Sequence, residues 1–215
     1  VGVYDKYLWR GFDLSNGQPV AQGGVDISAL GFTLSYWSNV QLSNGNTADI
    51  DWLDGDEVTE TDITLDYTHD FGPVSVSVGD IYYNFNVPGN THEVYLGLTA
   101  DVLLAPSLKI YYDWDIANEL DMDGLYYSLG VSHSFDLMEK ISLGLGATAN
   151  YNDESPFVGE YSDWHNYELS ASIDYAVTDQ ISVTPSLLFS SGISDDAKET
   201  IDSEMVAGVS VTLTF

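Results

Sequence analysis

The strongest constraint on this chain is a period of two. Its closing stretch, "VAGVSVTLTF", alternates without a fault from Ala207 onward. Ala207, Val209, Val211, Leu213 and Phe215 fall on one side, with Met205 just before them, and Gly208, Ser210, Thr212 and Thr214 fall on the other. Successive side chains of a strand point to opposite faces, so such a segment has one apolar and one polar face. In "TDITLDYTHDF" (61–71), Ile63, Leu65, Tyr67, His69 and Phe71 oppose Asp62, Thr64, Asp66, Thr68 and Asp70. The pattern returns in 19–28, 31–40, 92–104, 107–117, 124–136, 139–151, 165–177 and 180–191, and less regularly in 1–11 and 73–85. With 204–215 these make twelve predicted strands, and no segment sustains a helical period.

The connections have an order of their own. Short links near 28–31, 70–73, 104–107, 135–140 and 177–180 alternate with longer ones near 12–19, 41–60, 86–91, 117–123, 152–163 and 192–203. Short turns at one end and long loops at the other describe an up-and-down antiparallel barrel, and the strand lengths match the ~9–11 residues that cross hydrocarbon at a tilt. The apolar face is aliphatic in its middle and aromatic towards its ends. Phe32, Tyr67, Phe71, Phe135, Tyr175 and Phe215 lie near the short turns. Tyr83, Phe85, Tyr112, Trp114, Tyr151, Tyr167 and Phe189 lie near the loops. Two aromatic belts around an aliphatic band mark a lipid-facing wall. A soluble sandwich shares the alternation but needs neither the belts nor the asymmetry of its connections. The expectation is an all-β chain: one domain over residues 1–215, a twelve-stranded antiparallel up-and-down transmembrane β-barrel of the bacterial outer membrane. Its short turns and both termini would be periplasmic, and its longer, acidic loops extracellular. Two faults stand out. Gly79–Asp80 reads as a bulge that keeps Tyr83 and Phe85 on the lipid face with Val74, Val76 and Val78. The first strand alternates poorly.

Charge narrows the function. Against 34 acids there are 5 bases, for a net charge of −29, which excludes partners that are polyanions such as nucleic acid. An apolar fraction of 44% with 15 tyrosines and 5 tryptophans excludes a chain that stays disordered. Without cysteine there is no disulfide framework. No apolar run reaches the ~18 residues of a membrane helix. The opening "VGVYDKYLWRG" lacks the basic and apolar regions of a signal peptide and reads as a mature end.

The opening residues also carry a motif. From Tyr7 through Arg10, Gly11, Ser15, Gly17, Pro19, Gln22, Gly23 and Gly24 to Asp26, the pattern Y-x-x-R-G-x-x-x-S-x-G-x-P-x-x-Q-G-G-x-D resembles the Gcw_chp family, also called TorF-family porins. Segments such as "GPVSVSVGDIYYNF" and "THEVYLGL" add to the likeness, which is densest in residues 4–40. The resemblance implies a proteobacterial outer-membrane barrel of porin type. It brings no substrate and no catalytic residue. The long acidic second loop departs from the family.

Three groups of residues invite chemistry. The first is the polar wall. Alternation directs Asp26, Asp62, Asp66, Asp70, Glu93, Asp101, Asp113, Asp115, Glu168 and Asp174 inward, with Lys109, Arg10 and Lys6 as the bases. The candidate pore-lining set is Arg10, Asp26, Asp62, Asp66, Glu93, Lys109, Asp113, Asp115, Glu168 and Asp174. Twelve tilted strands enclose a backbone diameter of roughly 24 Å. If wet, that lumen favours small cationic or neutral solutes. If filled, the barrel is structural or binds a partner through its loops, and the sequence leaves both open. Arg10 itself either sets a field across the lumen or ties loop carbonyls. The second group is Asp49, Asp51, Asp54, Asp56 and Glu57, carboxylates at calcium-loop spacing but without the twelve-position EF-hand pattern. Ca2+ is the one cofactor they suggest, and solvated charge is the alternative. The third group is the histidines. His133 falls on the lipid face while Ser132 and Ser134 fall inside, so no nucleophile–base pair forms on one strand and no enzyme is expected. His69, His92 and His165 read as members of the belts. The expected partners are outer-membrane lipid, small solutes and a protein at the loops. Oligomeric state is not legible.

Overall fold

A computed structural model describes residues 1–43, 59–85, 90–116 and 123–215. The chain begins with β1 (Gly2–Tyr4), β2 (Leu8–Trp9) and β3 (Phe12–Asp13). Six longer strands follow: β4 (Val20–Ala29), β5 (Phe32–Gln41), β6 (Thr59–Phe71), β7 (Val74–Phe85), β8 (Asn90–Ala100) and β9 (Ser107–Asp113). The last third holds β10 (Leu125–Met138), β11 (Ile141–Asp153), β12 (Ser162–Ala176), β13 (Ile181–Gly192), a short helix α1 (Asp195–Thr200) and β14 (Glu204–Leu213). Twelve strands close an antiparallel barrel in the order β1-β14-β13-β12-β11-β10-β9-β8-β7-β6-β5-β4, and β4 returns to β1. The remaining pair, β2 and β3, forms a separate hairpin.

Alternation sets the two walls. Ile27, Leu65 and Leu187 lie on the outer wall at 64%, 55% and 52% exposure, whereas Asn39, Asn166 and Ser190 on the inner wall are fully buried. An outer surface of exposed aliphatic and aromatic side chains over a polar interior is the reverse of a water-soluble domain. The short connections share one end. The two-residue link Leu30–Gly31 has φ of 57° and 86°, the pair of positive values that a tight hairpin turn requires.

Three expectations are corrected by the register. The first strand does not run over 1–11. Only Gly2–Tyr4 belongs to the wall. At Asp5 the backbone still donates to the Ala207 carbonyl at 3.0 Å, and the Asp5 carboxylate accepts the Ala207 N–H at 3.0 Å. Beyond that the chain leaves the wall. The charges and glycines that spoiled the alternation there belong to a segment that turns into the lumen. Asp13 shapes it, accepting from the Ser15 N–H at 3.0 Å and the Gly17 N–H at 2.7 Å, a local turn bond typical of Asp. Tyr7, Leu14 and Val20 form its core, against Tyr4, Trp9, Phe12 and Trp37.

The second correction concerns Gly79–Asp80. Pairing on both sides of β7 is continuous, so there is no bulge. Tyr83 and Phe85 therefore point inward and are buried, while Asp80 and Tyr82 take the outer wall. Gly79 is needed because the Tyr95 ring lies on it: a Cβ there would sit 2.5 Å from Tyr95 Cζ. The third correction moves the irregularity to β12. Pairing with β11 shifts between Ala149 and Tyr151, and both His165 and Asn166 are fully buried inside. His165 therefore does not belong to an outer belt. Smaller shifts follow. The predicted strand 92–104 ends at Ala100, and the loop after β13 contains α1, capped by Ser194 accepting from the Ala197 N–H at 3.1 Å.

Candidate functional site

The lumen is divided along its length. Towards the loop end it is filled by the segment that leaves the wall at Asp5. At the tip of the β2–β3 hairpin, Arg10 and Gly11 both have positive φ, 49° and 87°. Glycine is at home there, but an arginine is strained. The turn throws the Arg10 side chain against the far wall. Its Nη2 donates to both oxygens of Glu93, at 2.7 and 2.8 Å. The Tyr83 hydroxyl donates to the same carboxylate at 3.0 Å. Around the guanidinium, the rings of Tyr126, Trp9 and Tyr111 lie 4.3, 4.6 and 5.2 Å from Cζ. Arg10 and Glu93 are 8% and 3% exposed. A buried pair of charges is tolerable only with such partners, and breaking one side would strand the other.

Other groups clamp this core. His165 Nε2 donates to the Arg10 carbonyl at 2.7 Å, so Nδ1 accepts from the Tyr161 hydroxyl. Phe12 stacks on the imidazole with ring centres 5.9 Å apart. Asn166 accepts from Asn150 at 2.8 Å and donates to Ser190 at 2.8 Å and Glu168 at 3.2 Å. The connection after β11 folds in as well. Asn152 donates to the carbonyls of Gly159 and Tyr161, both at 2.8 Å, and Phe157 meets Trp9 and Phe85 at 6.5 Å. Ile201, just past α1, lies so close to Gly11 that a Cβ there would be 2.6 Å from its Cδ1.

Towards the short-turn end the lumen opens into a cavity of about 590 Å3. Hydroxyls of Ser132, Ser134, Ser170, Ser172 and Ser186 line it with Asp174, and Tyr4, Lys6, Tyr7 and Leu8 bound it on the side of the inward-turned segment. Lys6 donates to Glu204 at 2.5 Å and lies 3.6 Å from Asp13. The hydrogen bond to Glu204 raises its pKa above the ordinary lysine value.

The sequence candidates separate into distinct roles. Glu93 holds Arg10. Asp66 accepts from Tyr95 at 2.5 Å and Thr68 at 2.8 Å, and Asp174 accepts from Thr184 at 2.6 Å. Asp113 accepts from Thr91 at 2.7 Å and from the N–H groups of Asp115 and Ile116. Asp115 itself sits on the bend after β9 rather than on the wall. Lys109 lies 4.8 Å from the centre of the Tyr95 ring. Asp26 is exposed on the inner face of β4. Asp62 pairs with Glu60, which also receives the Tyr7 hydroxyl, and one oxygen of each acid lacks a protein partner. The predicted metal candidates, Asp49, Asp51, Asp54, Asp56 and Glu57, lie outside the described residues. Among the described residues no group of three His, Cys, Asp or Glu is placed to hold a metal. His133 lies on the outer wall with Phe135, ring centres 4.5 Å apart.

Sequence reasoning missed the aromatic part of the site. Tyr95, Tyr111 and Tyr126 fall on the polar side of the alternation, so their inward direction was available. What was not available is the segment they receive. Trp9 and Arg10 lie inside because the chain leaves the wall after Tyr4.

No family model matches the chain, and no curated protein matches it. Solved structures do. The NanC porin is 14% identical, with a TM-score of 0.64 over 100% of this chain and 99% of that one. The KdgM porin is 11% identical, with a TM-score of 0.63 over 100% and 98%. The fold is that of a twelve-stranded porin barrel. At these identities the likeness concerns the fold alone.

Proposed function

We propose that this protein is an outer-membrane, porin-like channel that passes small cationic or neutral solutes by diffusion, narrowed by its own N-terminal segment. The reading rests on one imbalance. The two bases that the inward-turned segment brings into the lumen are each paired, Lys6 with Glu204 and Asp13, and Arg10 with Glu93. Among the described residues, Asp26, Asp66, Glu168 and Asp174 have no salt bridge to a base. A wet lumen with that surplus draws cations and repels anions. The exposed apolar outer wall supports a membrane location, and the opening motif supports kinship with the Gcw_chp family. Conductance across a planar bilayer under a salt gradient tests the proposal. A reversal potential favouring cations is expected, and one favouring anions would reject it.

A second reading has its own support. The hairpin, the 154–161 connection and α1 meet at the loop end, as in a filled barrel whose loops are the working surface. That reading predicts no conductance at all.

A further inference from the structure

The Arg10 pocket has two parts with different origins. Glu93, Tyr83, Tyr111 and Tyr126 stand on four consecutive barrel strands, β7 to β10, each fixed by its ladder. Arg10 arrives from a separate hairpin with two-residue strands and a strained tip. The wall is thus a rigid receptor, and the arginine is a tethered occupant. Its chemistry selects one cation. A carboxylate, oriented by the Tyr83 hydroxyl, meets one edge of the group. Two wall rings, Tyr126 and Tyr111, lie 4.3 and 5.2 Å from its centre. Guanidinium is planar and weakly hydrated, so it gains from both contacts, while a compact, strongly hydrated ammonium gains less.

We propose that Glu93, Tyr83, Tyr111 and Tyr126 form a guanidinium-binding site in the lumen, filled in cis by Arg10, and that solutes carrying a guanidinium group bind there when the hairpin withdraws. The hairpin is then a competitive stopper: its release widens the loop end and exposes the site together. The regulatory half rests on the channel reading, but the binding site does not.

The test is a titration of the Arg10→Ala barrel in detergent with guanidinium chloride or arginine amide, read by the fluorescence of the chain's tryptophans, of which Trp9 borders the site. Saturable binding in the millimolar range is expected. Wild type should need at least about twofold more ligand, because a tethered group at about millimolar effective concentration or above competes with a ligand that binds in the same range. Arg10→Ala/Glu93→Gln should lose the saturable response, and sodium or lysine amide should not reproduce it. No saturable response in Arg10→Ala, or the same response in the double variant, would overturn the site. If Arg10→Ala does not fold, refolding with millimolar guanidinium decides. Recovery of the barrel, seen by circular dichroism and absent with sodium, supports the site, and failure to recover overturns it. Bilayer conductance of the same variant separates the two readings. Silence with intact binding rejects the channel and leaves the site standing.

Discussion

His165 donates from Nε2 to the backbone carbonyl of Arg10 at 2.7 Å, across 155 positions of sequence. One wall residue thus fixes the tip of a segment from the other end of the chain. The bond also fixes the tautomer, since a carbonyl can only accept, and leaves Nδ1 to the Tyr161 hydroxyl. His165→Ala leaves both groups without their partner in a partly buried place. It should destabilise the barrel by about 1–3 kcal/mol. It should also raise single-channel conductance by freeing the hairpin. Denaturant midpoints in detergent and bilayer recordings check the two effects, and His165→Gln, which can still donate, should lose less.

Gly79 and Tyr95 make a second test. A methyl at position 79 would meet the Tyr95 ring at 2.5 Å, and that ring is held by its hydroxyl on Asp66. Gly79→Ala should cost about 1–3 kcal/mol through overpacking. In Tyr95→Ala/Gly79→Ala the clash is gone, so the double variant should be more stable than the two single losses add up to. Additive losses in urea melts would mean that the ring is not what reserves the site for glycine.

On the outer wall, Asp80 accepts from Trp114 at 3.0 Å and pairs with His92 at 2.8 Å. Both members of the pair are about a third exposed, at 38% and 32%. Removing one partner leaves the other beside the apolar wall. His92→Ala should lower stability by about 1 kcal/mol, with discount for exposure. Asp80→Ala/His92→Ala should recover most of that loss. Thermal melts of the three proteins in one detergent measure it.

Selectivity has its own variant. Asp66, Glu168 and Asp174 face the lumen and are held by hydroxyl or amide donors rather than by bases. Replacing all three with the corresponding amides keeps most acceptor oxygens and removes three charges. The cation-over-anion permeability ratio should fall severalfold while the fold survives. An unchanged ratio in salt-gradient recordings would locate selectivity elsewhere, at the Glu60–Asp62 pair or in the loops.

The alternation in the sequence determined most of the barrel. It supplied the number of wall strands, the side on which the turns are short, and the inward direction of Asp66, Glu93, Asp113, Glu168 and Asp174. These are local consequences of a two-residue period, and each strand states them for itself. What it could not state was where pairing stops or which irregularity is real. Gly79–Asp80 breaks the apolar pattern without breaking the ladder, because the reason for the glycine is a ring on the neighbouring strand. His165–Asn166 keeps the pattern passably and yet carries the shift.

The same limit governs the site. Arg10 was legible as an unusual base in a faulty strand, but not as the centre of an aromatic and acidic pocket. Its partners Glu93, Tyr111 and Tyr126 lie 83 or more positions away, and only closure of the wall brings them within reach of the hairpin. The sequence by itself determined a twelve-stranded wall with an apolar outside and a polar inside, because side-chain direction in a strand is a property of neighbouring residues. The tertiary structure alone decided that one end of that interior is occupied. Occupancy depends on where a segment without a place in the ladder finds partners for its buried charge.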